Sequence, residues 1–456
     1  MWKKITLGNK WPLFIILLIA GLLLAINLDK PFWGHHDWTG VYWGSVARNF
    51  SRYGLVATKF GMVLGSGALT PDQFSYNFHY LPLFPIIWSG FFAVFGIHNW
   101  VSRLMPLVFS LGSLAIFYQL ITRYFSRQVA IFACLFWIAT PMFIYFGKTP
   151  IHEIPLMFFV LAALYYYLGR RYKLLLLFIL LAELTTWPGF FLVPAITIHW
   201  WLRGRKQFTL VRVVTLWAAS VGLFLLHLAH DYWLTGSPLG GGLGEIFLSR
   251  VQGVAIVPYL SVLVRWAVTY YTLLLPMSFL WLILAIKKKL PGRQDIPALF
   301  LIFAVFYPLI FRDASIRHDF LLIYFWPFLA LSSALVVGKV IRSRLIQIPA
   351  VIVILSVMIV TRFKYIVALE NSDIYKESVR FGQFIHDNSS LTDKVLAVTA
   401  DSTVGWDGWF IAYYADRVVV QEATLPSNLK NFDKVMIYSS GGRMSAGVET
   451  KSNGIK

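Results

Sequence analysis

The residues best equipped for chemistry lie in the stretch Pro31 to Trp43, which contains His35, His36, Asp37, Trp38, Tyr42 and Trp43 and directly follows the first long apolar segment. A carboxylate beside imidazoles and aromatic rings is equipped to exchange a proton and to hold a polar ligand. Further charged groups recur at the ends of later apolar segments: Arg103, then Lys148 and Glu153, then Arg312, Asp313, Arg317, His318 and Asp319. A carboxylate near Arg, Lys and His suits a reaction in which a base deprotonates a hydroxyl while cations stabilise a departing phosphate. Plainer readings accompany each residue. Asp37 would simply end a span, Glu153 would cap a helix whose early position is Pro155, Arg103 would anchor an interface, and Trp33, Trp38, Tyr42 and Trp43 would form a membrane-interface belt. Adjacent His35 and His36 point in different directions in regular structure, so a divalent metal is compatible with them but no cofactor is certain.

These residues need elements to position them, and the composition says what those elements are. Of 456 residues, 58% are hydrophobic and 13% charged, and the mean hydropathy is +0.66. That apolar content describes a polytopic membrane protein. Apolar segments occur near 11–28, 103–122, 128–146, 154–168, 173–187, 188–202, 209–230, 258–286, 296–311, 319–337 and 346–362. They predict about eleven transmembrane helices for residues 1–366. The stretch Tyr80 to Gly96 is apolar but short and carries Pro82 and Pro85, which predicts a re-entrant or surface-lying helix. The formal charge of +19 does not imply nucleic acid, because the basic residues sit in short runs between apolar segments. With the N-terminus cytoplasmic, the inner loops collect Lys3, Lys4, Lys10, Arg123, Arg127, Arg170, Arg171, Lys173, Arg203, Arg205, Lys206, Lys287, Lys288, Lys289, Arg293, Lys339, Arg342 and Arg344, with Asp295 as their only acid. This obeys the positive-inside rule, and it places the large loop 29–102 and the loop 231–257, with its run Gly240-Gly241-Gly242-Leu243-Gly244, outside. Cys134 is the single cysteine, so no intramolecular disulfide forms.

Beyond Lys364 the pattern becomes that of a small soluble α/β domain, residues 367–456, extracytoplasmic by parity of the spans. Helices are expected over Ser372 to Asn388 and Trp406 to Tyr414, strands over Lys394 to Thr399, Val418 to Gln421 and Lys434 to Tyr438, and a disordered tail from Gly441. No GxxxxGK[ST] phosphate loop is present and the inner loops are too short for a nucleotide-binding domain. A donor that works outside without nucleotide, with its phosphate at the membrane edge, is a lipid-linked phosphosugar.

Taken in order, these features resemble the GT-C superfamily of polyprenyl-phosphate-sugar-dependent glycosyltransferases, in the branch of protein O-mannosyltransferases and lipid A aminoarabinose transferases. The resemblance rests on HHDWTGVYWGSVARNFSRYG with Asp37 and Ala47-Arg48-Asn49, on His79-Tyr80-Leu81-Pro82-Leu83, on Phe95-Gly96 to Arg103-Leu104, on Tyr145 to Glu153, and on Arg317-His318-Asp319-Phe320 with Pro327. It implies inverting sugar transfer from a polyprenyl phosphate to a lipid, glycan or protein hydroxyl at the outer face of a plasma membrane, with Asp37 as base. It implies that Glu153 organises the site, seconded by Asp319. His79, Arg103, Lys148, Arg317, His318, His36 and Tyr42 are then expected around donor phosphate or substrate. The family's Asp-Glu pair is here Asp37-Trp38, and no β-trefoil pattern appears at the C-terminus. The competing reading is a transporter or flippase of a lipid-linked substrate, which places polar groups near mid-membrane. In this chain the acids gather at segment ends.

Overall fold

The structure, a computed structural model, describes residues 11–205, 208–237, 248, 250, 254–287, 293–399, 408–439 and 443–449. Lys3, Lys4, Lys10, Lys206, the glycine run 240–244, Lys288, Lys289 and Trp406 lie outside them. The chain forms two compact units, and they do not follow the expected boundary at residue 366. One comprises residues up to Ile26, His79–Phe84 and Pro106–Val367; the other comprises Asn27–Phe78, Pro85–Met105 and Ala368 onward. The large first loop thus folds in one unit with the C-terminal part.

The first unit is helical, since a helix satisfies backbone N–H and C=O groups internally where no water competes. Among the described residues, Asn99–Tyr124, Leu210–Thr235, Asp319–Val340 and Leu345–Glu370 are long and apolar enough to cross a membrane. Ile256–Tyr271 with Leu274–Ile286 adds a fifth if the pair, bent by 106°, counts as one span. The other expected segments are also helical but shorter, including Trp11–Ala25, Arg127–Ile138, Glu153–Leu168 and Asp295–Ile310. By length and composition four or five helices qualify as spans, against the eleven expected. Local chemistry explains the shortening. The expected span 128–146 breaks at Thr140, whose Oγ1 accepts from Phe143 N at 3.2 Å ahead of a new helix beginning at Pro141. The 258–286 span breaks at Thr272, held at φ +46°, and a 3-10 turn, Asp319–Phe325, precedes Trp326–Val340. The Asp319–Val340 segment is 89% buried whereas Leu210–Thr235 and Leu345–Glu370 are 22% and 17% buried. The first is therefore the centre of the unit, where Trp326 packs 5.3 Å from Trp137, itself 4.9 Å from Phe117. The Tyr80–Gly96 stretch forms the helix Leu83–Phe95, about 20 Å long and too short to span ~30 Å of hydrocarbon.

The second unit is α/β. Strands β1 (Met62–Leu64) and β2 (Ser75–Asn77) form an antiparallel hairpin. Strands β3 (Lys394–Thr399), β4 (Val418–Glu422), β5 (Lys434–Ser439) and β6 (Arg443–Glu449) form a sheet in the order β4-β3-β5-β6. β3 pairs in parallel with both β4 and β5. The expected disordered tail is corrected in part: residues 443–449 add to β5 as an antiparallel edge strand, which satisfies a row of backbone groups that β5 would otherwise expose. Phe381 and Ile385 of the helix Lys376–Asp387 and Ile411 and Ala415 of the helix Gly408–Ala415 pack with Val395, Ala397, Met436 and Tyr438 into one core. The helix Trp38–Tyr53 buries Val41 against Phe32, Val379, Phe410 and Tyr413.

Candidate functional site

Asp37 precedes the helix Trp38–Tyr53, yet its side chain does not cap that helix. Its Oδ2 instead accepts from the Gly34 N–H at 2.7 Å. Arg103 Nη2 lies 3.2 Å from both carboxylate oxygens, and both residues are buried. The guanidinium is held in turn. Its Nε donates to Lys30 O at 3.3 Å, and its Cζ stands 4.6 Å from the Phe32 ring centroid, a cation–π contact. Phe32 reaches that position because residue 40 is glycine: a Cβ there would lie 2.6 Å from the ring. The Phe32 N–H donates to Tyr414 Oη at 2.7 Å, and Tyr414 donates to Asn99 Oδ1 at 3.0 Å. Lys30, missed by sequence reasoning, donates to Glu370 O at 2.6 Å and Ser372 O at 2.7 Å. Burial lowers its pKa despite the raising charge of Asp37. A carboxylate has about four lone-pair sites, so this shell leaves Asp37 able to accept from a further hydroxyl.

The first unit contains a second group. Arg250 Nη1 donates to Tyr80 Oη and Tyr307 Oη, each at 3.4 Å. Tyr324 of the 3-10 turn donates to Glu153 Oε1 at 3.5 Å. Glu153 is buried at the first position of its helix, the end whose dipole favours a negative charge. The His152 ring packs between Tyr80 and Phe84, at 4.6 and 4.2 Å. Trp187 Nε1 donates to His79 O at 2.5 Å. Burial, seconded by the Arg250 charge, pushes the His79 imidazole well below its ordinary value, and burial takes His152 down to about 3. Both rings are neutral at neutral pH, so His79 offers hydrogen bonds rather than positive charge. One guanidinium with phenolic donors around it is an anion site in chemical terms. Arg250 was missed by sequence reasoning, although one signal marked it: it is the single basic residue of the 231–257 loop.

The other expected residues fall elsewhere. Lys148 is buried and donates to Ile26 O just beyond the helix Trp11–Ala25. Arg317 is exposed and pairs with Asp313 at 3.1 Å, so it joins neither group. His318 stacks 5.2 Å from Phe320, and buried Asp319 accepts from the Tyr270 hydroxyl. His36 Nδ1 accepts from Trp38 Nε1 at 3.3 Å. Tyr42 accepts from Asn77 Nδ2 at 2.6 Å and packs 4.6 Å from Trp409. The Arg48-Asn49 motif is structural: Arg48 donates to Tyr413 O at 2.8 Å and pairs with Asp416 at 3.3 Å, while Asn49 donates to Val63 O and Gly65 O, each at 3.0 Å.

No protein-family model and no curated protein sequence matches this chain. Solved structures do resemble it. ArnT from Cupriavidus metallidurans bound to undecaprenyl phosphate superposes with TM-score 0.65 at 13% identity, covering 91% of this chain and 86% of that one. The same protein in the apo state gives TM-score 0.61 at 14% identity, covering 90% and 85%. The Archaeoglobus fulgidus oligosaccharyltransferase in its apo form gives 0.56 at 13% identity, covering 91% of this chain and 65% of that one. Apolar helices able to span a bilayer, arranged as in these structures, make this chain an integral membrane protein with the fold of ArnT and of the archaeal oligosaccharyltransferase.

Proposed function

We propose that the protein is a glycosyltransferase that moves a sugar from a polyprenyl-phosphate donor to a hydroxyl of a lipid, glycan or protein acceptor at the extracytoplasmic face. The observation that carries this reading is buried Asp37, held by Gly34 N–H and Arg103 with accepting capacity left over, in a chain with the GT-C fold. Asp37 takes the proton of the acceptor hydroxyl. The acceptor oxygen bonds to the anomeric carbon as the bond from that carbon to the phosphate oxygen breaks, and the phosphate leaves with the electron pair. In-line attack inverts the anomeric centre. Within the first unit, Arg250 and the hydroxyls of Tyr80 and Tyr307, with neutral His79, have the chemistry to hold a phosphate. Glu153 orients that group through Tyr324, and Asp319 acts behind it through Tyr270. The N-terminus is cytoplasmic and the plasma membrane is the expected site.

Transfer from a radiolabelled polyprenyl-phosphate sugar, measured for wild type and Asp37→Asn in one membrane preparation, tests the mechanism. Loss of transfer with folded protein retained supports it, and near-normal turnover in the variant removes it.

A further inference from the structure

The second unit contains a cavity of about 630 Å³, lined by Ser66, Leu69, Trp409, Ala412, Val419 and Gln421, with Gly65, Gly408, Arg417 and Val418 completing its wall. Its volume lies in the range that takes small ligands. None of its walls is part of the Asp37 shell.

The wall is built, and the helix Trp38–Tyr53 builds it. Asn49 fixes Gly65 O at 3.0 Å, Arg48 Nη2 donates to Ser66 Oγ at 2.9 Å, Arg52 Nη1 donates to Gly67 O at 2.7 Å, and the Leu69 N–H donates to Tyr53 Oη at 2.7 Å. Gly67, at φ +85°, brings this segment so close to β4 that a Cβ would lie 2.5 Å from Val418 N. That contact blocks the start of the β4 edge against an added peptide strand. Trp409 is 41% exposed, and Tyr42 packs edge-on to it at an interplanar angle of 70°.

The chemistry of the lining selects the ligand. Among the described residues of the lining Arg417 is the one cation, and its guanidinium is spent on Ser389 Oγ, Ser389 O, His386 O and Asp416 O at 2.6 to 3.1 Å. Among those same residues no carboxylate lines the cavity. What the described lining offers a ligand is an indole, the aliphatic side chains of Leu69, Val418 and Val419, the Ser66 hydroxyl and the Gln421 amide, which both donates and accepts. An apolar ring face beside paired donor and acceptor groups matches a pyranose, which carries C–H bonds on its faces and hydroxyls on its rim.

We propose that this cavity is a subsite for a neutral saccharide, and that the saccharide is the part of a glycan acceptor remote from the hydroxyl that is glycosylated. The second half rests on the transferase reading; the first does not. Arg48, which holds the wall, lies on the helix that Asp37 immediately precedes, about 17 Å further along at 1.5 Å per residue, so one rigid element serves both.

The test uses the full chain in lipid nanodiscs, an array of neutral and acidic oligosaccharides, and saturation-transfer NMR of the oligosaccharides that bind. Wild type and Asp37→Asn are expected to bind the same neutral oligosaccharides alike. Trp409→Ala and Gln421→Ala are each expected to weaken binding about tenfold or more, with Trp409→Phe intermediate. Trp409→Ala is read only if its melting temperature matches wild type; half-buried Gln421 otherwise carries the test. Undiminished binding in Gln421→Ala, preference for acidic oligosaccharides, absence of neutral-saccharide binding at millimolar concentration, or binding of extended peptides in its place overturns the proposal. Saccharide binding in a protein whose wild type transfers no sugar sinks the transferase reading and leaves the subsite. Loss of transfer in Asp37→Asn without saccharide binding does the reverse.

Discussion

Two aspartates flank the two ends of the helix Trp38–Tyr53, and their surroundings differ. At its start Asp37 meets one guanidinium, Arg103, at 3.2 Å, and one backbone N–H. At its far end Asp416 meets two, Arg48 at 3.3 Å and Arg52 at 2.7 Å, as well as Gly67 N–H at 3.4 Å. Burial by itself would raise the Asp416 pKa, but the Arg48 charge and the Arg52 hydrogen bond outweigh it and hold the group below its ordinary value. The same pair of residue types serves two purposes. Asp416, between two guanidinium groups, ties the C-terminal sheet to the first-loop hairpin, while Asp37, beside a single guanidinium, is the proposed base. Residue type does not separate these two carboxylates; the number of guanidinium groups around each does.

Four experiments sharpen that contrast. The largest effect is expected from Asp37→Asn, with transfer falling on the order of 10²–10⁴-fold, the usual contribution of a general base. Its melting temperature should fall as well, because buried Arg103 loses its carboxylate, so transfer is read per folded molecule. A loss of stability alone is expected from Asp416→Ala, which strands the buried Arg48 guanidinium. Stability should drop by about 3 kcal/mol, read as a lowered melting temperature, with transfer per folded molecule kept. Equal behaviour of the two variants would erase the distinction. Arg250→Gln should come next, raising the KM for the donor on the order of tenfold with a smaller change in kcat, as loss of a charge-assisted contact to phosphate predicts. The smallest effect concerns pH. Because the folded Asp416 pKa is depressed, its stabilisation is complete above the ordinary aspartate value of about 4 and is lost as pH falls through the folded value. The melting-temperature advantage of wild type over Asp416→Asn should therefore be flat near neutrality and vanish in acid.

Much of the fold was legible. Strand positions 394–399, 418–421 and 434–438 and the helical nature of the apolar segments follow from periodicity. The breaks at Thr140 and Thr272 were not legible, because a short apolar run reads alike whether it is one span or two helices. β6 was missed because a polar edge strand draws its stability from its partner rather than from its own sequence. Among the site residues, Asp37 and Arg103 were named and are paired. Arg317 was named and pairs with Asp313 at the surface, and Arg250 was overlooked although it holds the phenols of Tyr80 and Tyr307.

By itself the amino-acid order established a membrane-embedded helical chain with an α/β C-terminal part and an acid-bearing first loop, because hydropathy and periodicity are local properties. Only the tertiary structure decided that residues 27–78 and 85–105 share a unit with the C-terminal sheet. It alone gave Asp37 one cation and Asp416 two. Those outcomes depend on which distant side chains pack within hydrogen-bond reach, and no local pattern encodes that distance.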